Sequence, residues 1–365
     1  MPRTRLSPEV FALPVERMRE GYYSDAYFNL SKGVLEAQGL HPAVTVQVFQ
    51  KQACAILGGM DEALAMLRLC SGRHEGEGTD RRWVAGWDDL VVHALYDGDE
   101  VGPWETVLTI EGDYSLFAHL ETVYLGALTR RTLISTNVRR VVTAAAGKPI
   151  LFFPARFDHY RVQTGDGYAA QVAGAIGVST DAQASWWGGK GIGTVPHGLI
   201  AACGGDTVEA TRRFADVYYP EINVTALVDF DNDCVATSLA CARALGERLW
   251  GVRLDTAETM VDRSLWHQMG QFRPNGVAPE LVHEVRRALD AEGFHAVRIV
   301  VSGGFTAERI ASFEAAGVPA DAYGVGSSLL RGIADFTADV VLLEGRPCAK
   351  VGRSYRPNPR LARVV

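Results

Sequence analysis

The residues of this sequence best suited to chemistry stand at the ends of short apolar runs. They are side chains that can bind anions, move protons or ligate cations, namely Arg156, His159, Ser179, Thr180, His197, Asp229, Arg253 and Asp255. If the runs are parallel strands of one barrel, their carboxyl ends open at a single mouth, where these side chains converge. A buried arginine is costly unless it meets an anion or a carboxylate, so Arg156 and Arg253 favour a polyanionic ligand. The pattern predicts an enzyme active site at this mouth.

Two glycine-rich turns follow the last two apolar runs. Their residues are Ser302, Gly303 and Gly304 in the first turn and Gly324, Gly326 and Ser327 in the second. Barrels often bind phosphate on the loops after their final two strands, where backbone N–H groups point at the anion. Glycine lets the backbone approach the phosphate oxygens, and serine adds a hydroxyl donor. The two turns therefore predict a phosphate site, although the chain contains neither a P-loop nor a Rossmann fingerprint.

The chemistry of the individual acidic and basic groups stays open at the level of the sequence. His197 could act as a general base, a metal ligand or a phosphate acceptor. Asp229 and Asp255 could hold Mg²⁺ or contact ribose hydroxyls. Arg253 could instead form an internal salt bridge with either carboxylate. Spacing alone does not choose among these roles.

Seven apolar runs must position these residues. They are 150–153, 173–178, 191–195, 224–228, 250–254, 297–301 and 321–325, and helix-like stretches alternate with them. Near-continuous apolarity is typical of parallel strands that are buried on both faces. A closed (β/α)8 barrel needs one strand more. The sequence therefore predicts an α/β fold whose main part is an irregular, TIM-like (β/α) barrel with one weak strand.

The remainder of the chain has a different texture. Residues 1–115 mix short strand-like runs and turns with one helical pattern, which predicts an N-terminal α+β, sandwich-like domain. Residues 116–149 have a helical spacing of apolar residues and predict linking helices that lead to the barrel, residues 150–345. The tail 346–365 is too short for a domain and is predicted to join the N-terminal sheet.

Composition narrows the class of function. The chain is 47% apolar and 22% charged, as in ordinary globular proteins. Its 36 Lys and Arg against 43 Asp and Glu give a net charge of −7, which disfavours nucleic-acid binding. No apolar run approaches the roughly 20 residues that span a bilayer, and the start lacks the apolar segment of a signal peptide. The six scattered cysteines form no C-x-x-C pair, so we expect free thiols in a cytoplasmic protein without membrane partners.

Seven motifs, in order along the chain, resemble those of the nicotinate phosphoribosyltransferases, which are type II phosphoribosyltransferases. Residues 193–197 (GTVPH) are similar to the family's G-T-x-P-H segment, and residues 251–255 (GVRLD) to its G-V-R-x-D-S element. The other matching segments are 24–28 (T-D-x-Y motif), 136–148 (the helix before the barrel), 153–156 (F-G-x-R element) and the two glycine-rich turns. The resemblance covers about residues 20–352.

The resemblance implies a reaction in NAD salvage. Nicotinate and phosphoribosyl pyrophosphate would give nicotinate mononucleotide and pyrophosphate, with ATP assisting by transient phosphorylation of His197. Mg²⁺ would accompany the pyrophosphate, with its protein ligands unassigned. The pyridine ring would lie between Phe153 and Tyr27 of the partner subunit, in the same motif as Asp25, which makes the enzyme at least a dimer.

The resemblance also implies roles for the polar residues. His197, Arg253 and Asp255 would be catalytic, with Arg253 facing the phosphates. Arg156 would face the substrate carboxylate or the pyrophosphate. The remaining substrate-binding residues would be Asp25, Tyr27, Phe153, His159, Ser179, Thr180 and Asp229.

Two positions bear on the substrate. Phe157 replaces the second arginine of the family's A-R-R-x-H-P element, which removes one contact to a phosphate or carboxylate. Ser179 stands where nicotinamide-using relatives carry aspartate, which favours an acid over an amide. The alternatives are a phosphoribosyltransferase for nicotinamide, quinolinate or another heteroaromatic acid, and a non-catalytic homologue that binds phosphoribosyl pyrophosphate.

Overall fold

The computed structural model describes residues 4–76 and 78–365. Residues 1–3 and Glu77, which the predicted N-terminal domain includes, lie outside the described residues. The strands are β1 (Ala43–Gln50), β2 (Ala55–Ile56), β3 (Gly72–Glu75), β4 (Arg82–Ala85), β5 (Val91–Ala94), β6 (Glu100–Val101), β7 (Thr106–Asp113), β8 (Ile150–Phe152), β9 (Gly177–Val178), β10 (Thr225–Leu227), β11 (Gly251–Leu254), β12 (Arg298–Val301), β13 (Ala322–Val325), β14 (Phe336–Leu343), β15 (Arg346–Pro347) and β16 (Ala362–Arg363).

In the second half of the chain, one or more helices separate most successive strands. The helices are α1 (Val15–Arg19), α2 (Ala26–Ala37), α3 (Met60–Cys70), α4 (Glu121–Ala144), α5 (Gln163–Val172), α6 (Asp181–Ala184), α7 (His197–Ala202), α8 (Thr207–Tyr218), α9 (Cys234–Leu245), α10 (Pro279–Ala291) and α11 (Ala307–Ala315). None of the described helices combines the length and the apolar character needed to cross a membrane.

The chain divides into two compact units. The first comprises residues 1–136 and 332–365, and the second comprises residues 137–331. The sequence assigned residues up to 345 to the barrel, whereas β14 lies in the first unit because it pairs with β1.

The first unit contains an antiparallel six-stranded sheet in the order β15-β14-β1-β7-β5-β16. Its central strand β1 is buried along almost its whole length, and Val46 lies opposite Ile110 of β7 and Val340 of β14. The C-terminal tail contributes β16, where Ala362 pairs with Ala94 of β5. Residues from three parts of the sequence therefore build one sheet.

A single helix covers much of the core of this sheet. In α3, Met60, Ala63, Leu67 and Cys70 are completely buried and recur every three or four residues, which places them on one face. They belong to one apolar cluster with Val46, Val48, Leu108 and Ile110 of the sheet.

The predicted linking helices are one long helix, α4, which follows two short 3₁₀ turns. Helix α4 ends at Ala144, after which Ala146 and Gly147 adopt positive φ angles of 48° and 96°. Glycine takes such angles readily, and the following Pro149 cannot continue a helix.

The second unit contains a parallel six-stranded sheet in the order β10-β11-β12-β13-β8-β9. Its inner strands are almost wholly buried, as their continuous apolarity predicts. Segment 191–195 bonds to both edge strands: the Ile192 N–H donates to the Val178 carbonyl at 2.8 Å and the Val195 N–H to the Thr225 carbonyl at 3.0 Å. Because one segment reaches both edges, the sheet is strongly curled.

Two predicted strands differ from the structure. Segment 191–195 is not a strand: Gly191 packs closely against the Thr180 backbone, and the Thr194 hydroxyl accepts a hydrogen bond from Arg253 instead of the segment forming a regular ladder. In the run 173–178 only β9 is a strand. Ala173 caps the carboxyl end of α5, and Gly174 turns with a φ of 107°.

Candidate active site

A pocket of about 390 Å³ opens at the carboxyl ends of the parallel strands of the second unit. Its lining unites most of the predicted site residues, namely Phe153, Arg156, Ser179, Arg253, Asp255, Ser302, Gly303, Gly304, Gly324, Gly326 and Ser327. The convergence follows from the topology, since β8, β11, β12 and β13 are parallel neighbours that end at the same edge.

Arg253 is held rigidly in the wall of this pocket. It lies on β11, and its Nη1 donates to the Thr194 hydroxyl at 2.9 Å, while its Nη2 lies 3.5 Å from Asp255 Oδ2. Its Nε is buried without a hydrogen-bond partner among the described residues. Burial lowers the pKa of Arg253, against the opposing effect of Asp255 and Asp229. The guanidinium nevertheless stays charged. Arg253 is therefore a fixed cation in a part of the pocket wall that water reaches poorly.

Asp255 is positioned from its other side by Ser302. The Ser302 hydroxyl donates to Asp255 Oδ1 at 2.8 Å, and the Ser302 backbone N–H bonds to the Leu254 carbonyl at 2.9 Å. A chain of contacts therefore runs from Ser302 through Asp255 and Arg253 to Thr194. It fixes one carboxylate and one guanidinium at the pocket wall.

The two glycine-rich turns expose backbone atoms to the pocket, because their glycines carry no side chains. Gly303 and Gly304 have φ angles of 88° and 69°, which side chains other than glycine rarely adopt. A Cβ on Gly303 would lie 3.3 Å from Asp255 Oδ1, so this turn passes close to the carboxylate. In the second turn, Gly326 precedes the 3₁₀ turn Ser327–Leu330, whose first N–H groups lack intrahelical partners. Such backbone suits the binding of an anion.

Two aromatic rings and a free cation complete the lining. A Cβ on Gly324 would lie 2.9 Å from the Phe153 ring, and one on Gly326 would lie 3.1 Å from the Phe157 ring. Glycine is therefore required for these rings to reach their positions. Arg156 has no hydrogen-bond or ion-pair partner among the described residues, and its guanidinium carbon lies 5.4 Å from the centre of the Phe157 ring. It is available to bind a ligand anion.

His197 and Asp229 form a separate pair. His197 begins α7, and its Nε2 lies 2.9 Å from Asp229 Oδ1. The histidine side chain is 48% exposed and the carboxylate only 8%. Burial raises the pKa of Asp229, and His197 opposes that rise. Neither residue lines the pocket, although the preceding Pro196 does. The carboxylate orients the imidazole through Nε2, and Nδ1 makes no hydrogen bond to any residue that the structure describes.

The other predicted residues lie outside the pocket lining. His159 is exposed and caps the 3₁₀ turn Tyr160–Val162 through its ring. Thr180 caps α6 by accepting from the Gln183 N–H. Asp25 and Tyr27 belong to the first unit, where Asp25 accepts from the Thr122 hydroxyl at 3.0 Å and Tyr27 is 60% exposed.

Comparison with known proteins places the chain in a family. A family model for the quinolinate phosphoribosyl transferase N-terminal domain matches residues 25–132. Nicotinate phosphoribosyltransferase pncB1 of Mycobacterium tuberculosis is 30% identical over 276 residues, which are 73% of this chain and 57% of that protein. The chain therefore matches little more than half of that relative's length.

A solved structure decides the family. The nicotinate-nucleotide pyrophosphorylase from Pyrococcus furiosus superimposes with a TM-score of 0.77 and 32% identity, over 98% of this chain and 82% of that one. The chain belongs to the type II phosphoribosyltransferase family. The human nicotinic acid phosphoribosyltransferase has the same fold, with a TM-score of 0.66 at 18% identity over 90% of this chain and 76% of that one.

Three contacts at the pocket were not predicted from the sequence. Thr194 bonds to Arg253 in the pocket wall, and its place in the G-T-x-P-H segment was the available signal. Gln183 accepts from both the backbone N–H and the hydroxyl of Ser179, at 3.0 and 3.1 Å. The Ser328 hydroxyl donates to the Phe305 carbonyl at 2.7 Å and so ties the two glycine-rich turns together. No sequence spacing indicates the last two contacts.

The pocket lining is compatible with a metal ion that is held in part by the phosphates of a bound ligand. In the described part of the chain, no group of three or more His, Cys, Asp or Glu side chains is arranged to hold a metal ion. Mg²⁺ is commonly bound by one or two carboxylates together with substrate phosphates. Asp255 supplies one such carboxylate in the pocket lining.

Proposed function

We propose that this chain is a nicotinate phosphoribosyltransferase. Nicotinate would attack the anomeric carbon of phosphoribosyl pyrophosphate through its ring nitrogen, giving nicotinate mononucleotide and pyrophosphate. The observation that carries the proposal is one pocket in which an unpaired Arg156, an aromatic ring at Phe153 and two glycine-rich turns converge. Family membership supports the phosphoribosyl transfer.

The pyridine would be recognised through its ring and its carboxylate. The Phe153 ring offers one stacking face, and Arg156 offers a cation to the carboxylate. Tyr27 of the partner subunit would cover the second face of the ring, which makes the proposed enzyme a homodimer or a higher oligomer. The exposure of Tyr27 supports this contact.

The phosphate groups of phosphoribosyl pyrophosphate would contact the other walls of the pocket. The turns at Ser302–Gly304 and Gly324–Ser327 would cradle the 5-phosphate through backbone N–H groups and the Ser327 hydroxyl. Arg253 would stabilise the pyrophosphate as negative charge develops on it. Asp255 would face the ribose, whose anomeric carbon becomes cationic in the transition state, and would be the protein ligand for Mg²⁺. The metal would supply charge neutralisation to the leaving group.

ATP would assist through His197. Because Asp229 engages Nε2, the free Nδ1 carries the lone pair that would attack the γ-phosphorus of ATP, and ADP would leave. The buried carboxylate of Asp229 would stabilise the imidazolium that forms on phosphoryl transfer. Hydrolysis of the phosphohistidine would return the enzyme to its starting state and couple ATP cleavage to substrate affinity.

Quinolinate is the second candidate substrate, because the matched family model is named for quinolinate phosphoribosyl transferase. Quinolinate carries two carboxylates and so needs a second cation. Phe157 occupies the position where the family carries another arginine, and Arg253 is engaged by Thr194 and Asp255. Nicotinamide would leave Arg156 without a counter-charge in the pocket. The lining thus favours an acid with one carboxylate.

A competition assay tests the substrate. Nicotinate, nicotinamide and quinolinate are offered together at equal concentration with phosphoribosyl pyrophosphate and Mg²⁺, with and without ATP, and products are separated by mass spectrometry. We expect nicotinate mononucleotide to dominate and to form faster with ATP. A predominance of another nucleotide contradicts the substrate, and binding without turnover contradicts enzymatic activity.

We also propose that the second unit is an irregular barrel and that the protein acts in the cytoplasm. Segment 191–195 would complete an irregular (β/α) barrel, supported by its hydrogen bonds to β9 and β10. All six cysteines are free thiols, which supports a reducing cytoplasm as the site of action.

A further inference from the structure

A single arginine ties the first glycine-rich turn to the protein around it. Arg309 lies on α11, and its Nη1 donates to the Gly303 carbonyl at 3.0 Å. Its Nη2 donates to the Val277 carbonyl, also at 3.0 Å. Val277 is completely buried and lies just before α10, in the long segment that follows β11. Arg309 therefore fastens the turn to a buried part of the second unit.

The Arg309 side chain is itself held in place. Its guanidinium carbon lies 4.5 Å from the centre of the Phe305 ring and 5.8 Å from that of Phe313, and both rings are buried. Burial lowers the pKa of Arg309 and Glu258 opposes that effect, but the guanidinium stays charged. Glu258 lies 3.4 Å from Nη1, and because its side chain is 69% exposed it neutralises the cation only in part.

Arg309 lies on the side of the turn that faces away from the pocket. The turn lines the pocket, whereas Arg309, Glu258 and Val277 do not. The peptide bond between Gly303 and Gly304 is trans, so its C=O and its N–H point in opposite directions. Because the Gly303 carbonyl points at Arg309, the Gly304 N–H points away from Arg309 and towards the pocket.

The N–H groups of this turn are available to a ligand. Those of Gly303, Gly304 and Phe305 make no hydrogen bond to any residue that the structure describes. Consecutive backbone N–H groups of this kind suit an anion. A carbonyl that accepts from a cation also polarises its own peptide unit, which makes the Gly304 N–H a stronger donor.

We propose that Arg309 is a positioning residue of the phosphate site. It holds the first glycine-rich turn from behind, so that the N–H groups of the turn face the phosphate, and it strengthens one of these donors without touching the ligand. This inference rests on the proposed function, in which the same turn binds the 5-phosphate of phosphoribosyl pyrophosphate.

The test measures phosphate binding without turnover. The full-length protein and the variants Arg309→Met and Arg309→Lys are titrated with ribose 5-phosphate in a calorimeter. Arg309→Met should raise the Kd at least about tenfold, because the turn loses its charge-assisted contact. Arg309→Lys keeps the charge but can reach only one carbonyl, so its Kd should rise only about threefold.

Arg286→Met is the matched control. Arg286 lies on α10 and also donates to two backbone carbonyls, those of Val297 at 2.7 Å and Phe294 at 2.9 Å. These carbonyls precede β12, whereas the first glycine-rich turn follows it, and Arg286 does not line the pocket. Both methionine variants should lose similar stability in urea titrations, but Arg286→Met should bind ribose 5-phosphate as the parent does.

The possible results separate this inference from the proposed function. Equal affinity of the parent, Arg309→Met and Arg309→Lys overturns the positioning role, and so does equal weakening by Arg309→Met and Arg286→Met, which would trace the loss to folding. If Arg309→Met does not fold, an unchanged Kd of Arg309→Lys overturns the role. A parent that does not bind ribose 5-phosphate overturns the phosphate site and this inference together. A parent that binds it but forms no nicotinate mononucleotide overturns only the proposed function, and the weaker binding by Arg309→Met then still supports the role of Arg309.

Discussion

Replacing Thr194 with valine removes one hydroxyl from the pocket wall and little else. The lost contact is the 2.9 Å hydrogen bond to Arg253 Nη1, made in a wall where the arginine side chain is only 18% exposed. A hydrogen bond to a charged group contributes about 1.5–3 kcal/mol. If this contact orients Arg253 towards the pyrophosphate, the same free energy is lost from the transition state. At about 1.4 kcal/mol per tenfold, kcat/KM should fall roughly 10- to 150-fold.

The assay is the steady-state formation of nicotinate mononucleotide, with phosphoribosyl pyrophosphate as the varied substrate. Thr207→Val is the matched control, because Thr207 is a buried threonine of the second unit whose hydroxyl makes no hydrogen bond among the described residues. We expect this control to stay within twofold of the parent. A Thr194→Val enzyme that also stays within twofold would refute the positioning of Arg253 by Thr194. Equal losses in both variants would trace the effect to folding.

Four further substitutions test separate parts of the account. His197→Asn should abolish stimulation by ATP while leaving slow ATP-independent turnover, as seen by comparing product rates with and without ATP. Phe157→Arg should raise kcat/KM for quinolinate relative to nicotinate by about tenfold, and an unchanged ratio contradicts the assignment of the carboxylate side of the pocket. Gly324→Ala should displace the Phe153 ring, raise the KM for nicotinate and lower the free energy of unfolding by about 1–3 kcal/mol in urea titrations. Burial, with neighbouring carboxylates, raises the pKa of Glu121 to about 7 from 4.5, so the folded protein is destabilised as pH rises through that interval. Glu121→Gln should therefore stabilise the protein by up to about 3 kcal/mol at pH 8 and have no effect below pH 4.5, and equal effects at both pH values would contradict this charge burial.

The strands and the polar residues at their ends could be predicted because one physical pattern controls both. Continuous apolarity marks a strand that is buried on both faces, as in β8, β12 and β13, and parallel topology brings the following residues to one edge. The prediction of a strand over 191–195 was wrong, because the close approach of Gly191 to the Thr180 backbone cannot be recognised in a local pattern.

The contacts that orient the site residues could not be predicted from the sequence, for a different reason. Gln183 and Ser179 meet across one turn of chain, and Ser328 reaches the Phe305 carbonyl from a different loop. Such hydrogen bonds depend on side-chain geometry that residue type does not fix.

The most direct test of the central claim measures nicotinate mononucleotide and pyrophosphate formed by the parent protein and by Arg253→Met. Nicotinate, phosphoribosyl pyrophosphate and Mg²⁺ are supplied with ATP, and both products are quantified over time. We expect equimolar products from the parent and a rate at least about 100-fold lower from Arg253→Met, since a fixed cation at the leaving group is lost. Equal rates from both proteins, or no product from the parent, would contradict phosphoribosyl transfer in this pocket.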